Sequence, residues 1–389
     1  MNLRFLQGEN RKKTVNILFY VAFVIELLFM VLEKSEIPLP FISHVFRGTF
    51  LIALLAVLLM EHTRKEWIFV AIILAFSFVC YRLNGRNDIL RFATFMLAAR
   101  DIDLEKTVRF SFFFSAAGFL LIALLAAFGI LGDVYTVADF GRGSVEARFS
   151  IGFGHPNTFG SSLYALLLLW IWLYGKKANI IPYICLIIAS LVTYKLTGTR
   201  TALIINMFTI IIALVARFLP EISGKKIVYI LSGLVTPIMC TAFSVWAAWI
   251  SVMYWRVDHE THWLYRLDRL FNGRIANLYY NTEAHEGALE TWTLFSNRAS
   301  QEIFDMGWVR LFYWYGIIPA SIVVLLIIAA IYLCYQKRDI WTVILIVSLG
   351  IYTIIEATFV SRYIGRVVVL PILAVYFDEF IHNYGGKNA

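Results

Sequence analysis

Long apolar runs, broken at intervals by short clusters of charge, set the pattern of this chain. Three of them, residues 110–131, 227–255 and 311–336, carry no charged side chain, and each exceeds the roughly 20 residues that cross a hydrocarbon core as a helix. Marking every such run predicts about twelve spans, at 15–32, 45–61, 67–81, 88–100, 109–131, 159–175, 178–195, 201–219, 226–254, 308–336, 340–356 and 363–380. The fourth is the weakest, because its apolar centre at 92–99 is short and has Arg91 at its edge, so it is either a span or a re-entrant segment. The first run is not a removable signal peptide. It carries Glu26 in its middle, lacks a small-residue cleavage site and is followed by many more spans.

Composition agrees with this pattern. A chain with 60% hydrophobic and 15% charged residues cannot clothe a single core in a water-facing surface. The expected fold is therefore an all-α, polytopic membrane bundle in one transmembrane domain, 1–389.

Lysine positions orient the bundle. If all twelve runs cross, Lys12, Lys13, Lys65, Lys106, Lys176, Lys177, Lys225, Lys226, Lys337 and Lys387 share one side, and only Lys34 and Lys195 lie on the other. By the positive-inside rule the first side is the cytoplasm, with both termini there. Omitting the fourth crossing splits those ten lysines three against seven, which favours keeping it.

Arginine shows the opposite bias. The outer side would hold fifteen of twenty-two: Arg47, Arg82, Arg86, Arg91, Arg142, Arg148, Arg200, Arg256, Arg266, Arg269, Arg274, Arg298, Arg310, Arg362 and Arg366. A planar guanidinium binds phosphate bidentately and stays charged at a low-dielectric boundary. Two readings follow: recognition of phosphate, or pairing with lipid headgroups and with outer acids such as Asp258, Asp268 and Glu260.

The four cysteines lie in or at the edge of apolar runs and suit packing, not an outer disulfide framework. No spacing suggests a zinc site or a nucleotide-binding phosphate loop, which argues against an ATP-driven pump. Nothing points to nucleic acid as a partner. Two outer segments are long enough to build a site, 132–160 and 255–306. In the second, Leu264, Leu267, Phe271, Ile275 and Leu278 recur at helical spacing and predict an amphipathic helix on the membrane surface or over a cavity.

Two short stretches carry candidate chemistry. "GFGHPNTFG" (152–160) precedes the sixth span, with Pro156 in a first helical turn where no N–H partner is needed. His155 and Asn157 are thereby held at the surface, as a helix cap or as site residues. In "YKLTGTRTALI" (194–204), Thr199 or Thr201 can cap the eighth span, whose positive N-terminal end points outward beside Arg200. That corner is either a capped hairpin or a cradle for a diphosphate. Glu26, deep in a span, is expected to hydrogen-bond a polar residue on a neighbouring helix.

"RFSIGFGHPNTFG", then "LTGTRTAL", then "LFNGRI" in the long loop, then "FDMGWVRLFYWYGI" together resemble the Wzy-type polysaccharide polymerases of capsule and exopolysaccharide synthesis, especially the Gram-positive ones, over roughly residues 88–370. The resemblance implies a fold similar to the GT-C-like glycosyltransferases that use lipid-linked sugars, with a partly helical long outer loop. It carries over Arg148, His155, Pro156 and Asn157, then Gly198 and Arg200, then Gly273 and Arg274, then Asp305. The last motif departs from the pattern, since Met306 stands where asparagine is usual.

By that resemblance the reaction needs no metal and no cofactor. The donor is a growing glycan on undecaprenyl diphosphate and the acceptor a lipid-linked repeat unit, both in the outer leaflet, with a chain-length regulator as a further partner. Arg148, Arg200 and Arg274 are expected to bind the diphosphate, with Asn157 among the substrate-binding residues and Arg362 and Arg366 as second candidates. His155 is the first choice of general base and Asp305 the second, with His259, His262, His285 and Glu286 as alternatives. An O-antigen-ligase-like transferase shares this chemistry with a different acceptor. A lipid-linked oligosaccharide flippase is the non-enzyme alternative, and it calls for a polar pathway and internal duplication that the sequence does not display.

Overall fold

The computed structural model describes residues 8–99, 102–140, 144–256, 262–357 and Tyr376. In chain order the helices are α1 (Gly8–Glu33), α2 (Ile42–Leu59), α3 (Arg64–Asn84), α4 (Asp88–Ala98) and α5 (Leu104–Ala127). A hairpin of β1 (Tyr135–Asp139) and β2 (Val145–Phe149) follows. After it come α6 (Pro156–Gly175), α7 (Ile180–Thr197), α8 (Arg200–Phe218) and α9 (Lys226–Met253). Two short helices, α10 (Trp263–Leu270) and α11 (Arg274–Tyr280), lie in the long loop. The last three described are α12 (Gly307–Tyr315), α13 (Ile317–Lys337) and α14 (Ile340–Ile355).

Among the described residues nine helices are long and apolar enough to cross a membrane: α1, α2, α3, α5, α6, α7, α8, α9 and α13. Their outward faces expose Leu51, Ile68, Leu120, Ile204 and Leu325, each more than half accessible. In water that surface would be costly. In lipid it is the favourable one, because each helix satisfies its own backbone and turns apolar side chains to apolar solvent. Between α1 and α2, Ala22, Ala53 and Ala56 are fully buried, and such small residues let two backbones approach closely.

The helix ends follow local chemistry. Thr63 and Glu66 form a reciprocal capping box at the start of α3. Asp103 caps α5, Asn179 caps α7 and Asp339 caps α14. Pro237, unable to donate, sits in a widened π turn within α9 and does not end it.

Side-chain contacts sort the connections into two ends. At one end Glu36 accepts from Asp133 N–H at 2.7 Å, Arg86 donates to the Ser300 carbonyl at 2.8 Å, and Arg148 lies against Gly198. At the other, Arg11 donates to Met60, Arg217 to Ala178 and Arg338 to Gly224.

Several expected elements take another form. The fourth helix has eleven residues and is about 16 Å long, half of a hydrocarbon core. Its Arg91, at the edge of the apolar centre in sequence, turns inward. It is buried and donates through Nη2 to both oxygens of Glu26, at 2.5 and 2.7 Å, while Thr49 donates to the same carboxylate at 2.5 Å. The run 308–336 is not one span, since Gly316 at φ 96° separates α12 from α13. A Cβ there would lie 2.6 Å from the Leu294 carbonyl oxygen. Around this glycine Ile317 and Ile318 donate to the Thr293 and Leu294 carbonyls, and Ser296 donates to that of Tyr315. The amphipathic stretch 264–278 is also two helices, because Asn272 and Gly273 both take positive φ. Leu264, Ile275 and Leu278 are buried with Trp308 and Phe312 in a packed cluster, so one face of the pair joins a core while Trp263 and Leu270 stay exposed. The twelfth span, 363–380, falls almost wholly outside the described residues.

Candidate active site

Four separated stretches meet at the end of the bundle that carries His155. The β-hairpin delivers Arg148 from β2. Its guanidinium packs over Phe140 at 4.1 Å and donates to Glu146 through Nε and Nη2, at 3.1 and 2.9 Å. Behind it lies Gly198, the left-handed C-cap of α7 at φ 66°, where a Cβ would stand 3.1 Å from Arg148 Nε. Only glycine allows both that backbone conformation and that approach.

His155 is the N-cap of α6, and its Nδ1 accepts the backbone N–H of Asn157 at 3.1 Å. A neutral imidazole has one donor and one acceptor nitrogen. With Nδ1 occupied as the acceptor, Nε2 bears the proton and is a donor. Partial burial lowers the ring's pKa below its ordinary value, and nearby Arg148 lowers it further against the opposing pull of Asp305. The neutral, Nε2–H form is thus favoured at neutral pH.

Arg274, the first residue of α11, is buried and joins two carboxylates. Its Nη2 donates to Glu356 Oε1 at 2.6 Å, and its Nε lies 3.3 Å from Asp305 Oδ2. Asp305 is mostly exposed, with 61% of its side-chain surface accessible, whereas Glu356 is almost fully buried. Burial pushes the Glu356 carboxyl up to about 7, Arg274 pulls it down, and Asp305 raises it again. Arg310 of α12 also acts on Glu356 and packs over Trp314 at 4.9 Å.

Arg200 opens α8 and is exposed. Among the described residues its guanidinium makes no hydrogen bond or ion pair. Thr199 holds the N-cap position, yet its hydroxyl hydrogen-bonds Thr197 and accepts no helical N–H as a cap. The expected Thr199 cap is therefore absent, and the first turn of α8 keeps its donors beside a cation.

The expected partners of the arginines are replaced by others. Asp268 accepts the backbone N–H groups of Ile275 and Ala276 at 2.8 and 3.3 Å, and among the described residues it pairs with no arginine. Asp258, His259, Glu260, Arg362 and Arg366 lie outside the described residues. Of the alternative bases, His262 caps α10, His285 hydrogen-bonds the Tyr279 carbonyl, and Glu286 accepts from the Tyr313 hydroxyl at 2.8 Å. Each has a local structural partner. Glu356 was not among the expected site residues. Its signal is an acid within the apolar run "IYTIIEATFV".

The arrangement combines cations with Asp305, an exposed carboxylate beside Arg274. Arg148, Arg274, His155 and Arg200 offer N–H donors, Asp305 can accept a proton, and Glu356 holds Arg274 from behind. Comparison with protein-family models, with curated proteins and with solved structures returned no match.

Proposed function

We propose that this protein polymerises undecaprenyl-diphosphate-linked oligosaccharide repeat units into capsular or exopolysaccharide, at the outer face of a bacterial cytoplasmic membrane. The observation that carries this reading is the placement of Arg274 against Asp305, beside His155 and Arg148, at one end of an apolar bundle. Both termini are then cytoplasmic.

In this reaction an acceptor hydroxyl oxygen forms a bond to the anomeric carbon of the donor. The bond from that carbon to the diphosphate oxygen breaks, and the lipid diphosphate leaves with the electron pair. The hydroxyl proton passes to Asp305, the exposed carboxylate of the cluster. His155 acts through Nε2–H as a hydrogen-bond donor, and its ring fixes the start of α6. Among the described residues Arg200 has no acid to give up, and it takes the diphosphate first. Arg148 meets it by exchanging Glu146, and Arg274 by exchanging Asp305. Fixed cations aimed at developing charge lower the barrier because they need no reorganisation as the bond breaks.

The test is turnover by the purified full chain with a lipid-diphosphate repeat unit, read as a ladder of products. A ladder that is lost in Asp305→Asn and in Arg200→Ala supports the assignment. A folded protein that makes no ladder from its cognate repeat unit defeats it, and a ladder retained by both variants defeats the site.

A further inference from the structure

A second cation-lined space lies at the same end of the bundle, across α12 from the cluster just described. It is a cleft of ~470 Å³ bordered by α2, the turn from α3 to α4 and the segment near Arg298, within the size range of small-molecule sites of about 300–1,000 Å³. Such sites are usually apolar, but this lining is mostly polar and includes Arg47, Arg86, Arg91 and Arg298. Two carboxylates, Asp88 and Glu26, stand against these four cations.

The arginines differ in how they are held. Arg91 is the buried floor, locked by Glu26. Arg86 forms a wall, stacked over Trp314 at 3.6 Å and donating to the Ser300 carbonyl. Arg47 and Arg298 are exposed at the rim, and among the described residues neither guanidinium makes a hydrogen bond or ion pair. The first turn of α4 opens here too, with no side-chain cap from Asn87. Rim cations and a helix N-terminus around a roomy polar cleft suit a multiply charged oxyanion.

The surroundings favour an oxyanion carried on a lipid. Below the cleft α2 exposes Leu51 and Leu55, and α3 exposes Phe78, Val79 and Leu83. A polyprenyl tail has an apolar face to lie on while its phosphates enter. The wall between the two sites is Trp314, with Arg86 on its ring at 3.6 Å and Arg310, which acts on Glu356, at 4.9 Å.

We propose that this cleft is a second diphosphate site, holding the headgroup of a second lipid-linked substrate while the Arg274 cluster holds the first. It rests on the polymerase reading, which requires two lipid diphosphates at once.

The experiment is native mass spectrometry of the full chain in detergent with geranylgeranyl diphosphate as the probe. Two bound molecules are expected, falling to one in Arg47→Gln/Arg298→Gln, with at least a tenfold weaker second binding event and an unchanged melting temperature. The charge-retaining Arg47→Lys/Arg298→Lys restores part of that loss. Unchanged stoichiometry in the glutamine variant overturns the site. Equal displacement of the second molecule by inorganic diphosphate overturns the lipid assignment and leaves a free anion as the ligand. Binding does not depend on turnover. Two bound molecules without any product ladder would therefore fault the polymerase reading alone, whereas a ladder with one bound molecule would fault the cleft alone.

Discussion

Arg274 Nη2 donates to Glu356 at 2.6 Å, although 82 positions separate them in sequence. Both side chains are more than nine-tenths buried, so each depends on the other for its charge to be tolerated. Removing one partner of a buried pair typically costs about 3–5 kcal/mol. Arg274→Ala is expected to lower stability by that order, measured by thermal unfolding in detergent, while Arg274→Met paired with Glu356→Leu recovers most of it. A single variant as stable as the parent would show that the pair contributes little.

Glu356 also makes stability depend on pH. Burial pushes its folded-state carboxyl up to about 7, above the ordinary 4.5. Between those values the folded protein binds more protons than the unfolded chain, so this stabilisation is full at low pH and lost as pH rises through 7. His155 works the other way, because its lowered folded value loses stability as pH falls. Melting temperature followed from pH 5 to 8 should therefore drop more steeply toward pH 8 in the parent than in Glu356→Gln. Parallel curves would remove Glu356 as the cause.

Substitutions of His155 separate a cap and donor from a base. Asparagine is a good N-cap and keeps an N–H donor. His155→Asn is expected to retain turnover within about tenfold, and His155→Ala to lose about 1 kcal/mol of stability as well. A general base typically contributes 10²–10⁴-fold, and Asp305→Asn is expected to lose that much. A loss of that size in His155→Asn, with Asp305→Asn active, would reverse the two roles.

Gly198→Ala tests the support of Arg148. At φ 66° with Arg148 Nε 3.1 Å from the new methyl, the variant must strain its backbone or push the guanidinium away. A stability loss of about 1 kcal/mol is expected, with a raised KM for the lipid-linked substrate. Unchanged KM would detach Gly198 from substrate binding.

Much of this architecture is legible in periodicity and capping chemistry. The ends of α3, α6 and α7 lie close to residues that announce them: Thr63 with Glu66, His155 with Pro156, and Gly198. The depth of Glu26 marks it for a polar partner, and Arg91 is that partner. The break at Gly316 is hidden because 311–336 is apolar throughout, and the carbonyls that hold the turn come from residues 293 and 294. In "LFNGRI" the Asn-Gly turn signal was present, but regular spacing of apolar residues across it suggested one continuous helix. Arg148 and Glu146 sit at i and i+2 of one strand and share a face, but that signal appears only once the hairpin is known, whereas the pairing of Arg274 with Glu356 depends on tertiary approach, which no local pattern encodes.

The stitching at Gly316 has a mechanical consequence. Backbone bonds from Ile317 and Ile318 to residues 293 and 294, closed by the one from Ser296, rivet the long loop to the root of a membrane helix. The wall that carries Trp308, Arg310 and Trp314 is thereby a fixed anvil and not a hinged flap. In the proposed reaction the lipid-linked units pass a wall that stays in place, and amide hydrogens at 296, 317 and 318 should exchange slowly with or without them.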